Sequence, residues 1–425
     1  MTDDLYLLAI NLTRRCNLNC AHCYLDAETL SHGDPDELTT AEVCTLLDQT
    51  TECGSGVMVV LTGGEPLLRK DVEAIVQHGT DRGLCMVVGS NGTTLTQRRV
   101  ESLKAAGLAG VGISLDSLQA GVHDHFRGQK GCWDKTIKGI ELCRQHELPF
   151  QIHFSINHDN VDELDDIVGF SREVGARVLN IFFLVCTGRG ESMTDISPVQ
   201  YERTLERIIA AQQAQPDLII RARCAPHFKR IAFQQQPDSA LNRLSGNEGD
   251  GCIAASHYCR VTPTGEVTAC PYMDDSCGNV RQQSLQQIWR NAPGLQMLRE
   301  PQLKGKCGDC EFRRLCGGCR ARARAVAGDA LAADPWCEYQ PSGNDTIEEL
   351  PESDPLQWQR EAEERLTRAP GFLQRLIRRR AEAFVRELGD DQVTCAHLDT
   401  LMARRFGDTP PGNFKANLTD NNHRG

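Results

Sequence analysis

The stretch Cys16-Asn17-Leu18-Asn19-Cys20-Ala21-His22-Cys23 gathers three thiols directly after the short apolar run Leu5–Leu12. A run of this length and composition predicts a buried parallel strand. Three thiolates at this spacing can ligate three irons of a four-iron cluster, which leaves the fourth iron without a protein ligand. An open iron can bind a small molecule, as the open position of a catalytic zinc does. The stretch therefore predicts an iron–sulfur site with an open position at the end of the first strand.

Short apolar runs alternate with amphipathic segments over residues 1–190. Six runs are predicted to be buried strands, namely Leu5–Leu12, Val57–Leu61, Leu84–Val88, Val111–Leu115, Phe150–Ile156 and Val178–Leu184. The predicted helices between them are Thr39–Thr51, Asp71–His78, Leu95–Ala106, Asp134–His146 and Asn160–Val174. A capping box of Thr39 and Glu42 opens the first helix. Six successive β/α units predict an α/β fold, a partial (β/α)6 TIM-like barrel with its active site at the carboxyl ends of the strands.

The chain has 425 residues, of which 20 are cysteine, and its formal net charge is −12. This acidic balance disfavours nucleic acid and anionic membranes as partners. No apolar run reaches the ~18 residues that a membrane span needs, and the N-terminus lacks the pattern of a secretory signal. A cytoplasmic protein is therefore expected. In that reducing compartment, clustered cysteines bind metal more often than they form disulfides.

Nine further cysteines lie between Cys252 and Cys337, in a Gly-rich segment with little periodicity. Such a segment is expected to be held together by metal rather than by a hydrophobic core. Its Cys-x2-Cys pairs suit zinc as well as iron–sulfur clusters. The iron–sulfur interpretation is favoured because the first cysteine stretch already predicts a cluster. The eight remaining cysteines are singletons, and singletons are usually small buried hydrophobes.

The sequence divides into five predicted regions. A barrel over residues 1–220 precedes a cluster-binding domain over 221–340 and an acidic linker over 341–357. A helical module over 358–408 follows, with predicted helices in 358–389 and 394–406 that the Pro370-Gly371 pair interrupts once. The polar tail, 409–425, is expected to be disordered.

The Cys-x3-Cys-x2-Cys spacing resembles the signature of the radical S-adenosylmethionine (SAM) superfamily. Three further motifs strengthen the resemblance, because each follows one of the next three predicted strands. They are Gly63-Gly64-Glu65-Pro66, Ser90-Asn91-Gly92 and Ser114-Leu115-Asp116-Ser117, which are similar to that family's GGEP motif, T-N-G loop and polar SAM contacts.

The resemblance implies that Cys16, Cys20 and Cys23 bind a [4Fe-4S] cluster and start the catalysis. The residues that would bind SAM are Gly63, Gly64, Glu65, Pro66, Ser90, Asn91, Gly92, Ser114 and Asp116. The GGEP backbone and Glu65 would hold the amino group of the methionine moiety. In this family the reduced cluster cleaves SAM to a 5′-deoxyadenosyl radical, which abstracts hydrogen from an unactivated carbon. The protein orients these groups and excludes water.

The downstream cysteines resemble the SPASM extension of radical SAM enzymes, which carries two auxiliary four-iron clusters. The resemblance implies Cys252, Cys259, Cys270 and Cys319 for the first cluster, and Cys307, Cys310, Cys316 and Cys337 for the second. Three [4Fe-4S] clusters are therefore expected in all. Two residues separate Cys316 from Cys319, where the usual pattern has three, and Cys277 is left as a spare thiol.

Several short motifs resemble the radical SAM enzymes of alternative haem and haem d1 synthesis. They are Phe182-Phe183-Leu184-Val185-x-x-Gly188-Arg189-Gly190, Cys224-Ala225-Pro226-His227, Gly251-Cys252-x-Ala254, Gly278-Asn279-Val280-Arg281 and Cys316-Gly-Gly-Cys-Arg-Ala-Arg-Ala323. Under this resemblance Arg189 suits a propionate, because guanidinium groups pair bidentately with carboxylates. His227 is a candidate axial ligand or proton donor, against the alternative of an ordinary hydrogen-bonded histidine. Cys224 is either an extra cluster ligand or merely buried.

The pattern Trp358-x3-Ala362-x3-Leu366-x3-Pro370 resembles the C-terminal helical module of a light-independent protochlorophyllide reductase subunit. That module lies near a tetrapyrrole in its own enzyme. The arginines at 375, 378, 379 and 380 would then suit propionates. The alternative is an appended helical hairpin whose arginines form a solvated face.

Together these resemblances imply a radical SAM enzyme that decarboxylates or removes propionates of a tetrapyrrole, either an iron porphyrin or a sirohaem derivative. An electron donor such as ferredoxin or flavodoxin is expected as a partner. The alternative on the same scaffold is a maturase of a precursor peptide or protein. A non-catalytic electron carrier belongs to a different class, which the SAM motifs disfavour because a carrier needs no open iron.

Overall fold

The structure is a computed structural model, and it describes residues 4–29, 32–54, 56–185, 187–192, 196–215, 217–237, 251–347, 355–369 and 371–406. The chain forms two compact units, one over residues 1–350 and the other over residues 351–425. No helix within the described ranges is long and apolar enough to cross a membrane. Cys186 and the predicted tail lie outside the described residues.

A ten-stranded sheet forms the centre of the first unit. Its strands are β1 (Leu7–Asn11), β2 (Met58–Thr62), β3 (Cys85–Ser90), β4 (Gly110–Ser114), β5 (Phe150–Ile156), β6 (Val178–Phe183), β7 (Ile219–Arg223), β8 (Tyr258–Val261), β9 (Glu266–Thr268) and β10 (Ser276–Asn279). Their order across the sheet is β10-β9-β8-β1-β2-β3-β4-β5-β6-β7. Neighbouring strands from β8 through β1 to β7 are parallel, whereas β9 and β10 add antiparallel pairs. The α/β barrel prediction and its six strands are confirmed.

Helices follow the strands of the barrel, as β/α units require. They are α1 (Thr40–Thr50), α2 (Val72–Asp81), α3 (Gln97–Ala105), α4 (Ala120–Arg127), α5 (Cys132–Gln145), α6 (Leu164–Glu173), α7 (Pro198–Ala214) and α8 (His227–Gln235). The predicted capping box forms, since the Thr39 side chain accepts from the Glu42 amide and the Glu42 carboxylate accepts from the Thr39 amide. The five predicted helices all form, and α4 is an addition that the pattern did not reveal.

Strand β7 is another element that the sequence did not reveal. It reads Ile219-Ile220-Arg221-Ala222-Arg223, so two arginines interrupt the apolar run that a buried parallel strand usually shows. It pairs in parallel with β6 and extends the barrel by one strand. The predicted boundary after residue 220 therefore falls inside a strand.

The Cys-rich segment continues the barrel sheet through β8, β9 and β10. Strand β8 pairs in parallel with β1, with Leu7 opposite Tyr258 and Ile10 opposite Val261. The segment also forms α9 (Leu285–Asn291), α10 (Pro293–Arg299), α11 (Gly305–Asp309) and α12 (Arg320–Ala327). Because β8 lies next to β1, the downstream cysteines come close to the first cysteine stretch.

Alternate residues of the barrel strands face opposite sides of the sheet. In β1, Leu8 and Ile10 are fully buried in the main hydrophobic core. Leu7 and Ala9 point the other way and line a cavity inside the barrel. The barrel therefore keeps an open interior on the face that carries the strand-end motifs.

The second unit consists of α13 (Arg360–Thr367), α14 (Gly371–Leu388), α15 (Cys395–Phe406) and a pair of two-residue strands, β11 (Gln357–Trp358) and β12 (Gln392–Val393). Trp358 Nε1 donates to Glu382 Oε1 at 3.0 Å. The Arg378 guanidinium lies 4.7 Å from the centre of the Trp358 ring and pairs with Glu363. Arg378 is thus engaged within the module, while the side chains of the other three arginines of the run lie outside the described residues.

Candidate functional site

A cavity of about 440 Å³ occupies the interior of the barrel. It is lined at the strand ends by Gly63 after β2, Asn91 after β3, Ser114 at the end of β4 and Cys224 after β7. The cysteines of the loop Cys16–Cys23, called the cysteine loop below, also line it. The fold therefore brings the cysteine loop and the strand-end motifs to one cavity, as the barrel prediction required.

Each thiol of the cysteine loop accepts a hydrogen bond from an N–H group. The Leu18 amide donates to Cys16 Sγ at 3.4 Å, and the Ala27 amide donates to Cys23 Sγ at 3.4 Å. The Arg127 guanidinium donates to Cys20 Sγ at 3.7 Å. Hydrogen bonds to ligand sulfurs tune the reduction potential of a bound cluster.

The glycines of the GGEP motif allow the loop after β2 to approach the residues that lead into Cys16. A Cβ atom at Gly63, where φ is +131°, would lie 2.5 Å from the Thr13 carbonyl oxygen. At Gly64 it would lie 2.3 Å from the Arg15 carbonyl oxygen. The Gly64 amide donates to Thr13 at 2.8 Å, and both glycines line the cavity.

Glu65 is fully buried, and its carboxylate is turned away from the cavity lining. It accepts from Ser90 Oγ at 3.0 Å, from the Asn91 amide at 2.9 Å and from the Leu67 amide at 3.1 Å. Burial raises the pKa of Glu65 to about 7, against these stabilising hydrogen bonds. Glu65 therefore bridges the loops after β2 and β3, and its expected contact with the SAM amino group stays a prediction.

Ser90 and Asn91 do reach the cavity, whereas Pro66 and Gly92 do not line it. Asn91 Nδ2 donates to Asn17 Oδ1 at 2.9 Å, which ties the loop after β3 to the cysteine loop. Backbone and amide hydrogen bonds thus join the loops after β2 and β3 to the segment that carries the cysteine loop. Pro66 and Gly92 belong to these two loops.

Ser114 lines the cavity, but the Asp116 carboxylate does not. Asp116 is 1% exposed and pairs with the Arg127 guanidinium at 2.5 Å, while its Oδ1 accepts from the Ser155 amide at 2.9 Å. Burial alone would raise the pKa of Asp116, but the charges of Arg127, His22 and His123 and the hydrogen bond from the Ser155 amide together lower it. Asp116 therefore acts through Arg127, which touches Cys20 and lies on the unpredicted helix α4.

Arg189 follows β6 and donates hydrogen bonds to backbone carbonyls in and just after the cysteine loop. Its Nε donates to the Cys20 carbonyl at 3.1 Å, and its Nη1 donates to the Ala27 carbonyl at 3.0 Å. Its Nη2 has no hydrogen-bond partner among the described residues, and Arg189 lines the cavity. Nε and Nη1 of Arg189 thus hold the backbone at Cys20 and Ala27, which leaves Nη2 to bind a ligand. The bidentate pairing with a propionate stays a prediction.

Four downstream cysteines line the same cavity and are called the cavity cysteines below: Cys224, Cys252, Cys270 and Cys319. Burial raises the pKa of Cys270, and charge on any of the other three raises it further. The structure does not bring the predicted ligand Cys259 to this group. Cys259 is fully buried in the core, where its electrostatic neighbours are Cys53 and Cys277.

The other four predicted auxiliary ligands, called the distal cysteines below, line a second and smaller cavity: Cys307, Cys310, Cys316 and Cys337. The Phe312 amide donates to Cys310 Sγ at 3.4 Å, and the Asp334 amide donates to Cys307 Sγ at 3.4 Å. The structure therefore brings together all four cysteines that were expected to bind the second auxiliary cluster.

His227 lines the smaller cavity instead of the large one. It is fully buried, and its Nδ1 shares a hydrogen bond of 2.9 Å with the Tyr201 hydroxyl. Burial lowers the pKa of His227 to about 4, so the ring is neutral. This placement agrees with the alternative of an ordinary hydrogen-bonded histidine, and the role of axial ligand or proton donor stays a prediction.

Three basic side chains that the sequence analysis did not select line the large cavity: Arg221, Arg223 and Lys229. Arg223 Nε donates to Asn180 Oδ1 at 2.9 Å. Lys229 is only 3% exposed. The signal that could have found them is the alternation of basic residues in β7, which is unusual for a buried strand and places both arginines on one face.

The thiols of this chain fit iron–sulfur clusters. Cysteine-only ligand sets are what four-iron clusters use, and the cysteine loop offers three thiols where the other two groups offer four each. Over the described residues, no three His, Cys, Asp or Glu side chains converge as a single bound ion requires. A four-iron cluster needs a wider arrangement, because each thiolate binds a different iron.

Comparison with known families assigns three parts of the chain. Residues 10–170 match the radical SAM superfamily, and residues 252–311 match the SPASM iron–sulfur cluster-binding domain. Residues 358–401 match the proto-chlorophyllide reductase 57 kD subunit. These matches confirm the three resemblances, and they imply [4Fe-4S] clusters and SAM as cofactors.

Two relatives and one solved structure illustrate the similarity. An AdoMet-dependent heme synthase of Methanosarcina barkeri is 40% identical over 347 residues, which cover 80% of this chain and 98% of the relative. A pre-heme d1 synthase of Dinoroseobacter shibae is 28% identical, over 77% of this chain and 84% of the relative. Streptococcus suis SuiB, solved with the precursor peptide SuiA, has a TM-score of 0.64 and 18% identity, over 79% of this chain and 76% of SuiB, and shows the fold alone.

Proposed function

Because this chain belongs to the radical SAM superfamily of enzymes, with an AdoMet-dependent heme synthase among its relatives, we propose that it decarboxylates propionate side chains of an iron porphyrin. The observation that carries the proposal is the large cavity, which is lined by the cysteine loop, the cavity cysteines and three basic side chains. Its volume of about 440 Å³ lies within the range of about 300–1,000 Å³ that is common for ligand sites.

The lining suits an anionic tetrapyrrole in two respects. Arg221, Arg223 and Lys229 supply positive charge for carboxylates, and a guanidinium can hold a carboxylate bidentately. Tyr24 and Tyr272, whose ring centres lie 5.4 Å apart, supply aromatic surface in the same cavity. Buried carboxylates without such partners would be costly, so the basic groups favour an acidic substrate over a neutral one.

In the proposed reaction, a hydrogen atom leaves the propionate carbon next to the macrocycle, and the bond to the carboxylate carbon then breaks. Carbon dioxide leaves, a vinyl group forms and one electron remains. When bound, the cofactors supply the 5′-deoxyadenosyl radical that takes the hydrogen, as 5′-deoxyadenosine, and an acceptor for the electron. The chain's own residues orient the carboxylates, exclude water and hold the cysteine loop in place.

The proposal includes three [4Fe-4S] clusters, one on the cysteine loop and two on the downstream cysteines. It also includes an electron donor such as ferredoxin or flavodoxin and a cytoplasmic location.

The test is an anaerobic turnover assay with reconstituted enzyme, SAM, dithionite and iron coproporphyrin. The proposal expects 5′-deoxyadenosine together with vinyl-bearing porphyrin products. Cys20→Ala is expected to abolish both, because the loop then lacks a third ligand, whereas Cys44→Ala, at a half-buried position of α1 outside both cavities, is a control that retains both.

Two results would contradict the proposal in different ways. Release of no 5′-deoxyadenosine by the loaded wild type would remove the radical chemistry. Release of 5′-deoxyadenosine with an unmodified porphyrin, together with modification of a precursor peptide, would establish the maturase alternative that the SuiB fold also accommodates.

A further inference from the structure

Strand β8 turns Cys259 away from the cluster site that the SPASM resemblance implies for it. Successive side chains of a strand point to opposite faces. Tyr258 lines the large cavity, so its neighbour Cys259 points to the opposite face and is fully buried in the core. The thiols whose charge acts on Cys259 are Cys53 and Cys277, neither of which lines either cavity.

Cys224 occupies the position that Cys259 leaves open. It directly follows β7, lines the large cavity and is half-buried. Among the four cavity cysteines, each pair interacts electrostatically: Cys224 with Cys252 and Cys319, Cys270 with all three others, and Cys319 with Cys252.

The backbone at Cys224 is held by the same network that holds Cys319. Arg322 Nη2 donates to the Cys224 carbonyl at 2.9 Å, and Arg322 Nη1 donates to Asp334 at 3.0 Å. The Asp334 carboxylate in turn accepts from the Cys319 amide at 2.6 Å. Arg322 and Asp334 are both fully buried, so this link between two distant cysteines is rigid.

Cys224 also adopts φ of +58°, in the left-handed region that side chains other than glycine rarely occupy. Such strain persists only where the surroundings fix it. Here it accompanies a side chain that faces the cavity and a carbonyl that is fixed by Arg322.

We propose that Cys224, and not Cys259, completes the first auxiliary cluster site together with Cys252, Cys270 and Cys319. The inference rests on the proposed function in one respect, namely that the downstream cysteines bind two clusters. Three of the proposed ligands belong to the Cys-rich segment, whereas the fourth, Cys224, directly follows the last barrel strand, β7. Cys53, Cys259 and Cys277 then remain metal-free thiols of the core.

The experiment uses full-length chains in which Cys16, Cys20 and Cys23 are all replaced by alanine, so that only auxiliary clusters are counted. This parent is expected to bind about eight irons and eight sulfides, for two four-iron clusters. Adding Cys224→Ala is expected to lower both counts to about four, or to give the electron paramagnetic resonance signal of a three-iron cluster. Adding Cys259→Ala is expected to leave the counts and the signals of the parent unchanged.

The opposite pattern overturns the inference: loss of about four irons in Cys259→Ala and a parent-like count and spectrum in Cys224→Ala. A parent that binds about four irons or fewer contradicts the two-cluster proposal itself, which separates the two failures. A matched circular dichroism spectrum shows that each variant is folded.

A second measurement needs no variant of the site. In the wild-type chain, iodoacetamide is expected to alkylate Cys224 in iron-free protein and not in reconstituted protein, because a ligating thiolate is unavailable. Cys44, half-buried on α1, serves as the control whose labelling is the same in both forms. Equal labelling of Cys224 in the two forms would contradict ligation.

Discussion

Each of two cysteine groups lies beside a buried arginine–aspartate pair, and the two pairs act differently. Near the cysteine loop, Arg127 pairs with Asp116 at 2.5 Å and donates to the Cys20 thiol itself at 3.7 Å. Near the cavity cysteines, Arg322 pairs with Asp334 at 3.0 Å and donates to the Cys224 carbonyl at 2.9 Å. The first arginine donates to the sulfur of a predicted cluster ligand, whereas the second donates to the backbone of a proposed one.

This difference follows from how the two groups are built. The cysteine loop is one short stretch, so its own amides already hold two of the thiols and an arginine is free to touch the third. The cavity cysteines come from residues 224 to 319, and they meet only because longer-range contacts position their backbones. The first pair is therefore expected to tune chemistry, and the second to assemble a site.

The largest expected effect is that of Arg322→Met. The variant leaves the fully buried Asp334 without its partner, and removing one member of a buried ion pair costs about 3–5 kcal/mol of the free energy of unfolding. It also releases the Cys224 carbonyl, so we expect loss of about four auxiliary irons with the cluster on the cysteine loop retained. Urea unfolding and iron counting measure the two effects.

Arg324→Met is the matched control two residues away. Arg324 pairs with Asp275 on the surface, where the side chains are 42% and 56% exposed, and such exposed pairs contribute little to the free energy of unfolding. Equal iron and equal stability in Arg322→Met and Arg324→Met would remove the assembling role from the Arg322 pair.

Arg127→Met is expected to have a smaller effect on assembly and a larger one on chemistry. Asp116 keeps its hydrogen bond from the Ser155 amide, so the loss of stability is expected near the lower end, about 3 kcal/mol. Loss of the N–H donor to Cys20 is expected to make the midpoint potential of the loop cluster more negative, with auxiliary iron unchanged. Potentiometric titration followed by electron paramagnetic resonance measures this shift.

Arg144→Met, on the exposed face of α5, is the control for that experiment. If Arg127→Met lowered the auxiliary iron and left the loop potential at the wild-type value, the contrast between the two pairs would be reversed.

The smallest expected effect concerns an exposed pair, Glu42 on α1 and Arg281 after β10, whose Oε1 and Nε atoms lie 2.7 Å apart. A hydrogen bond from Arg281 lowers the pKa of Glu42 from 4.5 to about 2. Because the folded pKa is lowered, the stabilisation is present above pH 4.5 and is lost as the pH falls towards about 2. Solvent screening limits it to less than about 1 kcal/mol.

Glu42→Gln isolates this charge, because glutamine preserves the capping box with Thr39. We expect urea unfolding to show a small loss of stability at pH 7 that shrinks at pH 3. A loss that stayed constant between these pH values would show that the charge of Glu42 contributes nothing.

The same comparison explains which parts of the site the sequence could predict. The cysteine loop and the loops after β2, β3 and β4 are contiguous motifs at strand ends, so their meeting follows from the barrel alone. The distal cysteines form the predicted set because three of them lie within ten residues, Cys307 to Cys316. Local spacing was sufficient in these cases.

Other assignments depended on side-chain direction, which spacing does not report. Successive side chains of β8 point to opposite faces of the sheet, so Tyr258 faces the cavity and Cys259 faces the core. Glu65 and Asp116 belong to motif loops, yet their carboxylates bond to Ser90 and Arg127 rather than line the cavity. Strand β7 escaped detection because its cavity face is basic, and that face carries the residues proposed to bind the substrate.

The central claim, that the large cavity holds an iron porphyrin by its carboxylates, is tested most directly by a Soret titration of the reconstituted wild-type enzyme. Iron coproporphyrin and its tetramethyl ester are compared, since the ester keeps the macrocycle and removes the charges. We predict saturable binding of the free acid that Arg223→Met weakens, and no saturable binding of the ester. Equal binding of acid and ester, or no binding of either, would contradict the account.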